Sequence, residues 1–252
     1  MSHYESAKYE TVQYDETDGV ATITLSRAGG NRINIRMLKE LTAICDRLED
    51  DSDARLVVIR GTHGDFSSGV DFEDFHPDRP VDIHGFNKWE KLCTRLERLP
   101  VATLALVDGA AVGGGLQLAL VCDLRVATPD STFQLPEVHL GFLPGMATFR
   151  LTKYMGLGRA RRFMLTAETL SAQQACELGL IDRVEPDLDA GLAWAREALG
   201  PNHSVAVELT RRLLNESYGT HYEDAIGHFL AAQHRAVSQT AFLETLKKHQ
   251  KD

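Results

Sequence analysis

Glu137 is the side chain of this sequence best suited to proton transfer. It lies between Pro136 and Val138 in the segment LPEVHLG, residues 135–141, where apolar neighbours predict a desolvated carboxyl group. Desolvation disfavours the charged form of a carboxyl group, which raises its pKa towards the range useful in acid–base catalysis. These neighbours make Glu137 a candidate for acid–base chemistry, although a lone glutamate after proline is more often a solvated or helix-capping residue.

Two glycine-rich turns have the composition needed to present backbone N–H groups to an anion. The first, residues 61–72, reads GTHGDFSSGVDF, and the second, residues 109–117, reads GAAVGGGLQ. Glycine allows positive φ and close approach of a ligand, and a turn that opens a helix leaves N–H groups unsatisfied. Neither turn has the dinucleotide-binding G-x-G-x-x-G pattern or the lysine of a P-loop. For each turn, a purely structural role is the alternative.

The elements that must position these residues alternate between strands and helices in the first half of the chain. Apolar patterns predict strands over residues 20–25, 56–59, 102–107 and 123–127, and helices over residues 35–48 and 86–99. Helical periodicity dominates after Gly145, over residues 160–165, 172–178, 188–199, 205–214 and a long final helix over 221–248. The fold class is therefore α/β, and each glycine turn follows a strand.

Composition and charge argue against several classes of partner. The 252-residue chain has a formal net charge of −9 at pH 7 and no basic stripe, so we do not expect it to bind nucleic acid. No run approaches the roughly 20 apolar residues that span a bilayer, and the first twenty residues resemble no targeting segment. We expect no membrane contact.

The four cysteines, Cys45, Cys93, Cys122 and Cys176, form no CxxC pair and have no metal-site spacing. They are too few and too widely spaced for a dense disulfide framework, which favours a reducing compartment. We predict a cytoplasmic location and no metal site.

The two turns also carry a family resemblance. The segment FSSGVDF, residues 66–72, resembles the F-S-A-G-x-D-hydrophobic segment of the enoyl-CoA hydratase/isomerase (crotonase) superfamily. The segment DGAAVGGGLQLALVCDLRVA, residues 108–127, resembles its G-x-x-x-G-G-G-x-E-L-x-x-x-C-D segment, and the match continues collinearly through residues 133–145 and 156–184. The resemblance implies a crotonase-like spiral of ββα units in residues 1–195 and a helical C-terminal oligomerisation region in residues 196–252.

This resemblance also implies the site. An oxyanion hole for the thioester carbonyl would be formed by the backbone N–H groups of Val70 and Gly114. The residues implied in coenzyme binding are those of the two turns: Ser68, Gly69, Val70, Asp71, Gly113 and Gly114. The substrate would be an acyl-CoA or an acyl-carrier-protein thioester, with coenzyme A as part of the substrate and no metal, nicotinamide or flavin. The resemblance further implies a homotrimer or hexamer.

The sequence departs from the family pattern at Gln117. Hydratases of this family have a glutamate at this position and a second one at the position of Glu137, whereas this sequence keeps only the second. Glutamine has the shape of glutamate but exchanges no proton at neutral pH, which puts hydration by two carboxylates in doubt. A single carboxylate suffices to move a double bond, so the leading hypothesis is that Glu137 takes a proton from C2 of a 3-enoyl thioester and returns it at C4.

Three alternatives remain open at this point. GLQLAL and LPEVHLG resemble the G-F-Q-F-A-L and M-P-E-L-K-H-G segments of carboxymethylproline synthases, and the PGMATF segment, residues 144–149, is similar to decarboxylating members; both indicate decarboxylation or carbon–carbon bond formation through an enolate. Enoyl-CoA hydration is the second alternative. The third is a non-catalytic acyl-CoA-binding member.

Other polar residues near these segments are weaker candidates. His139 would share the face of the predicted base only if its segment is extended. His63, His76 and His84 lie in or after the first glycine turn, where they either face the substrate or are solvated. Asp71 either caps the following helix or fixes the loop near the coenzyme.

Overall fold

A computed structural model describes residues 9–75, 78, 83–200 and 204–249 of the chain. Nine strands in this part of the chain form two sheets. In chain order they are β1 Val12–Thr17, β2 Val20–Leu25, β3 Leu56–Gly61, β4 Ala102–Val107, β5 Ala110–Val112, β6 Leu124–Ala127, β7 Thr132–Gln134, β8 Leu170–Ser171 and β9 Arg183–Val184. The larger sheet has the order β1-β2-β3-β4-β6-β9 and the smaller has the order β5-β7-β8.

The parallel part of the larger sheet brings the two glycine turns together. β1 and β2 form an antiparallel hairpin, whereas β2, β3, β4, β6 and β9 pair in parallel. Because β3 and β4 are parallel neighbours, the turns that follow them leave the same edge of the sheet. The smaller sheet continues from the second turn, since β5 pairs with β7, the strand that precedes Glu137.

Nine α-helices surround the sheets in the described residues. They are α1 Ile35–Asp50, α2 Ile83–Arg98, α3 Gly114–Leu120, α4 Ala147–Thr166, α5 Ala172–Glu177, α6 Leu188–Leu199, α7 Ser204–Glu216, α8 Tyr222–Val237 and α9 Thr240–His249. Two short 3₁₀ helices, Phe72–Asp74 and Glu137–Leu140, complete the elements. α3 is buried along its whole length, which follows from a sequence of small and apolar residues around a single glutamine.

Alternating side chains of the parallel strands fill two hydrophobic layers. Val57 and Ile59 of β3 face the layer under α1 to α4, while Leu56 and Val58 face a second layer that includes Ala195 of α6. All six residues of β4 are buried, as expected for a central parallel strand covered on both faces. The scaffold that carries the glycine turns is thus packed on both sides.

Most predicted elements are confirmed, including the α/β class and the strands over residues 20–25 and 102–107. The predicted single final helix is wrong, because α8 ends at Val237 and α9 begins at Thr240. Between them the hydroxyl of Ser238 donates to the carbonyl of His234, 2.7 Å away, and the Gln239 N–H bonds the carbonyl three residues before it. The Gln239 N–H thus makes a bond of the 3₁₀ type in place of a bond to the fourth carbonyl before it, and the regular helical ladder ends there.

The helices α8 and α9 differ from the other described α-helices in having no buried residue. Phe229 is 49% exposed and Leu230 is 59% exposed in this single chain. The predicted boundary between residues 195 and 196 falls inside α6, so the division into two regions stays a prediction. Among the described helices none combines the length and the hydropathy required to cross a membrane.

Candidate active site

A cavity of about 610 Å³ opens between α1, α2 and the 3₁₀ helix Glu137–Leu140. Its inner wall includes Val70, Gln117 and Glu137, which come from three separate segments. Aromatic rings form much of the outer wall, including those of Phe75 and Phe86, whose centroids are 6.3 Å apart. The cavity therefore joins a polar inner end to an apolar outer part, as is typical of sites for small molecules.

The N–H groups of Val70 and Gly114 lie close to each other, and neither has a protein acceptor among the described residues. Ile33 bonds the residues on either side of Val70, with its N–H donating to Gly69 O at 2.8 Å and its carbonyl accepting from Asp71 N at 2.9 Å. The Val70 N–H must then point away from Ile33. A Cβ placed on Gly114 would lie 3.8 Å from the Val70 nitrogen. Two unsatisfied donors thus converge beside the cavity.

Gly113 sets the direction of the second donor. Its φ of 53° and ψ of −120° place it outside the regions that residues with a Cβ adopt readily, and its N–H bonds the Gln134 carbonyl at 2.9 Å. A Cβ at this position would lie only 2.9 Å from Oε1 of Glu137. Glycine is therefore needed both for the backbone conformation and for the space that the carboxyl group occupies.

Asn31 holds the first glycine turn in place from within the protein. Its Oδ1 accepts the Arg27 N–H at 2.8 Å, and its Nδ2 donates to the carbonyls of Thr62 and Asp65 at 2.9 and 2.8 Å. The Ser67 hydroxyl donates to the Asn31 carbonyl at 2.9 Å. This fully buried amide fixes the turn that carries the Val70 donor, and the sequence analysis did not identify it.

The side chains of Ser68 and Asp71 serve the turn rather than the cavity. The Ser68 hydroxyl donates to the Gly30 carbonyl at 2.9 Å. Asp71 is buried, accepts the Glu73 N–H at 3.2 Å as the N-cap of the 3₁₀ helix Phe72–Asp74, and pairs with Arg27 at 2.5 Å. The capping interpretation of Asp71 therefore fits the structure. Of the six residues predicted to bind coenzyme, only one, Val70, is among the residues that line the cavity.

Glu137 presents a buried carboxyl group to the cavity. Only 3% of the residue is exposed, and its Oε2 has no hydrogen-bond partner among the described residues. Burial raises the pKa of this carboxyl group above its ordinary value, and hydrogen bonds from its own backbone N–H and from the Gln117 side chain oppose the rise only in part. An unsatisfied carboxyl oxygen with a raised pKa is suited to exchanging protons.

Gln117 is oriented by Trp89, a residue that the sequence analysis did not single out. The Trp89 Nε1–H lies 3.4 Å from Oε1 of Gln117. Because the indole nitrogen only donates, the amide oxygen must face it, and the amide NH₂ group is left for other partners. In the sequence, the signal for Trp89 was only that it is a tryptophan in a predicted amphipathic helix. A tryptophan at such a position is more often a core residue than part of a site.

Glu90 is a further carboxylate on the cavity wall, besides Glu137 and Asp74, and was also missed. Its Oε2 pairs with Nη1 of Arg150 at 3.0 Å, and its Oε1 accepts the Met146 N–H at 3.3 Å. A Cβ placed on Gly145 would lie 2.6 Å from Gln117 Oε1 and 3.4 Å from Glu90 Oε1. Glu90 and Gln117 thus flank the same glycine.

Comparison with known proteins identifies the family of this chain. The family model described as enoyl-CoA hydratase/isomerase matches residues 15–252. The chain belongs to the enoyl-CoA hydratase/isomerase family. It is 33% identical over 219 residues to an enoyl-CoA-hydratase of Amycolatopsis orientalis, covering 87% of this chain and 97% of that one. It is 30% identical over 242 residues to a short-chain-enoyl-CoA hydratase of Clostridium acetobutylicum, covering 90% and 92%.

Solved structures confirm the crotonase-like spiral predicted for this family member. The enoyl-CoA hydratase of Bacillus anthracis superimposes with a TM-score of 0.89 at 26% identity, covering 96% of each chain. AtuE of Pseudomonas aeruginosa also gives a TM-score of 0.89, at 31% identity over 96% of this chain and 97% of that chain. The chain is thus an enoyl-CoA hydratase/isomerase family enzyme in its fold and over almost its full length.

In the part of this enoyl-CoA hydratase/isomerase family member that the structure describes, no histidine is among the residues that line the cavity. His139 is exposed, because its segment is a 3₁₀ helix rather than an extended strand, and it does not share the face of Glu137. His63 is exposed in a left-handed turn with φ of 62°, and His84 is exposed on α2. His76 lies outside the described residues. Within the described ranges, no cluster of three metal-binding side chains exists.

Proposed function

We propose that this enzyme stabilises the enolate of an enoyl thioester and moves its double bond, with Glu137 as the acid and base. One observation carries the proposal: the buried Glu137 carboxyl group, whose Oε2 has no partner among the described residues, lies on the wall of the cavity that Val70 also lines, beside two free N–H donors. This combination offers a proton acceptor and an anion site within one small space.

The reaction begins with a 3-enoyl thioester whose carbonyl oxygen accepts from the Val70 and Gly114 N–H groups. Glu137 takes the proton from C2, and the electrons of that bond pass to the thioester oxygen as an enolate. The carbonyl then re-forms, the electrons of the enolate C1=C2 bond become the new C2=C3 double bond, and the C3=C4 electrons take the proton back from Glu137 at C4. Each backbone donor of this kind is worth about 2.7–4 kcal/mol of barrier lowering, because the charge develops only during the reaction.

Gln117 supports this reaction without exchanging a proton. Trp89 binds its amide oxygen, so the NH₂ group can favour the charged form of Glu137. A glutamine at this position therefore leaves Glu137 as the only one of the two residues able to shuttle the proton. Proton transfers of this kind need no metal or redox cofactor, and we propose that the enzyme uses none.

The substrate that we propose is an acyl-CoA or an acyl-carrier-protein thioester. Lys39, Lys88 and Lys91 line the same cavity and are exposed, which places three cations near its opening. Cations at this position complement the phosphate groups of coenzyme A or of a carrier protein's pantetheine arm. The apolar and aromatic walls suit the acyl group.

Hydration of a 2-enoyl thioester is the second candidate. Two relatives are named enoyl-CoA hydratases, and a further glutamate, Glu90, lies on the cavity wall. Hydration requires one group to accept a proton from water and another to donate a proton to C2. Glu137 alone serves isomerisation, whereas hydration needs both groups.

We also propose that α8 and α9 bind a second copy of the chain, in a homotrimer or a hexamer built from trimers. Their exposed apolar side chains include Tyr222, Ile226, Phe229, Leu230, Phe242, Leu243 and Leu246. Exposed apolar groups of this extent are typical of protein interfaces. Light scattering of the purified chain measures the mass that decides between a monomer and a trimer.

The proposed function is tested by measuring double-bond migration and the incorporation of deuterium in D₂O. We expect wild type to convert 3-hexenoyl-CoA to the 2-enoyl isomer and to exchange the α-protons of butyryl-CoA, as followed by mass spectrometry. Glu137→Gln should slow both processes by about 10²–10⁴-fold, the usual contribution of a positioned acid–base group. His139→Gln, an exposed change in the same 3₁₀ helix, is the matched control and should leave both rates within about twofold. Exchange by Glu137→Gln at the wild-type rate would contradict the proposal, as would binding of butyryl-CoA by wild type without exchange.

A further inference from the structure

Glu90 gives the cavity a carboxylate that neither the motifs nor the family resemblance assigns. Its side chain is 26% exposed and lies beside Gly145, where an added Cβ would be 3.4 Å from Glu90 Oε1 and 2.6 Å from Gln117 Oε1. The Met146 N–H occupies one lone pair of Oε1 at 3.3 Å. A carboxylate has about four lone-pair sites, so Glu90 retains free acceptor positions towards the cavity.

Arg150 anchors Glu90 from behind. Arg150 is 5% exposed and binds two glutamates. Its Nη1 pairs with Glu90 Oε2 at 3.0 Å. Its Nε and Nη2 donate to the two oxygens of Glu97 at 2.8 and 3.1 Å. A buried arginine orients a carboxylate strongly, because charge-assisted bonds are about twice as strong as neutral ones. One positive charge shared by two carboxylates leaves a net negative charge on this group, so Glu90 keeps an electron-rich face towards the cavity.

We propose that Glu90 is the base that activates water for addition to a 2-enoyl thioester in this cavity, in place of the carboxylate absent at Gln117. The proposal rests on the proposed enolate chemistry, with the thioester oxygen held by the backbone donors. It assigns the two proton transfers of hydration to two glutamates from different walls, Glu90 from α2 and Glu137 from the 3₁₀ helix.

The step balances without any further reactant. The water oxygen bonds C3 while Glu90 takes one water proton, and the C2=C3 electrons pass to the thioester oxygen as an enolate. Protonated Glu137 then gives its proton to C2, and the enolate electrons form that bond. Glu90 finally releases its proton to solvent, and Glu137 takes one up, so the net change is addition of one water molecule.

The environments of the two carboxylates fit these opposite roles. Burial without a cationic partner raises the pKa of Glu137 and favours its protonated form, the form that donates. Glu90 is bound to Arg150 and is partly open to solvent, which leaves its oxygens accessible to water. Gln117 lies between them with its oxygen towards Trp89, so it contributes N–H donors to the water or to Glu137.

The experiment compares Glu90→Gln with Glu97→Gln, since both residues lie on α2 and bind Arg150 but only Glu90 lines the cavity. Hydration of crotonyl-CoA and α-deuterium exchange of butyryl-CoA are measured for each variant and for wild type. We expect Glu90→Gln to lower kcat for hydration by about 10²–10⁴-fold while exchange stays within about threefold of wild type. Glu97→Gln should keep both activities within about threefold.

Three results would overturn the proposal. Wild type that exchanges α-protons but does not hydrate crotonyl-CoA would show that the cavity has no water base, while the proposed enolate chemistry would stand. Hydration by Glu90→Gln at the wild-type rate would remove Glu90 from the reaction. Equal losses in Glu90→Gln and Glu97→Gln would assign the effect to the arginine cluster as a structural unit. Failure of the proposed function differs from all three, because α-exchange would then be absent from wild type itself.

Discussion

The two walls of the cavity carry the same functional group in contrasting surroundings. On the inner wall, Glu137 is 3% exposed, has an oxygen without a partner and rests against a glycine of the helix α3 turn. On the α2 wall, Glu90 is 26% exposed, is bound to Arg150 and accepts a backbone N–H. The carboxyl group of Glu137 is therefore desolvated and has one oxygen without a partner, whereas that of Glu90 is bound to a cation and is partly exposed to solvent.

This contrast shows how one cavity can hold a proton donor and a proton acceptor of identical chemistry. Desolvation favours the neutral carboxyl, and a buried cation favours the carboxylate. The surroundings of the two glutamates differ because of the packing around each group, since the residue type is the same. The comparison can be tested by changing the packing on the inner wall, the pH, and the orientation of the amide between the walls.

The largest expected effect is that of Gly113→Ala on the inner wall. A Cβ would meet Glu137 Oε1 at 2.9 Å and would strain a backbone with φ of 53°, so both the carboxyl group and the Gly114 N–H should move. We expect kcat/KM for 3-hexenoyl-CoA isomerisation to fall at least about 100-fold, the loss typical of one oxyanion donor.

Gly200→Ala is the matched control for that change. Gly200 has a φ of 58° but no atom within 4 Å of the added Cβ, so it imposes a similar backbone strain far from the cavity. Its isomerase activity should stay within about twofold of wild type. If Gly113→Ala were as active as Gly200→Ala, the inner wall would be looser than the structure indicates.

The next effect is the dependence of the two reactions on pH. Because burial raises the pKa of Glu137, isomerisation, which starts from the carboxylate, should lose activity as pH falls through that raised value. Hydration starts from protonated Glu137 and should lose activity as pH rises through the same value. Profiles of kcat/KM with 3-hexenoyl-CoA and crotonyl-CoA measure both limbs. Two limbs of the same sign would mean that Glu137 does not start the two reactions in opposite states.

The smallest effect is expected from Trp89→Phe, which removes the donor that orients Gln117. A single hydrogen bond is worth about 0.5–1.5 kcal/mol, so the isomerase kcat/KM should fall by roughly 2–10-fold. Trp194→Phe on α6 changes the other tryptophan of the chain and should leave the rate unchanged. If Trp194→Phe lowered kcat/KM more than Trp89→Phe did, the Trp89 hydrogen bond would not be what orients Gln117 for the reaction.

Much of the scaffold could be predicted because its hydrophobic patterns are local. The helix over residues 35–48 and the strand over 102–107 have the periodicity of a half-buried helix and of a fully buried strand, and both exist in the structure. Glu137 could also be found from sequence, since its apolar neighbours are visible there and its segment matches the family pattern. The break between α8 and α9 could not, because residues 237–240 contain neither a glycine nor a proline to mark it.

The α2 wall escaped prediction for a different reason. Trp89 meets Gln117, 28 residues away in sequence, and Glu90 meets Arg150, 60 residues away. Helical periodicity assigns Leu92 and Leu96 to the buried face but is silent about which polar neighbour turns towards a cavity. A half-buried glutamate on such a helix resembles an ordinary solvated residue until the distant partner is in place.

The fully buried Asn31 links the hairpin end to the turn that bears Val70, through bonds that span 31 and 34 residues of chain. The second donor, at Gly114, belongs to a separate turn whose geometry depends on pairing between β5 and β7. Neither local helix formation nor a single hairpin can create the donor pair. The two donors lie on separate turns that meet only when long-range contacts form, at a cost in loop-closure entropy. Chemical competence in this chain is therefore a property of completed folding: an intermediate with native helices but unpaired turns would have the residues of the site and none of its catalytic geometry.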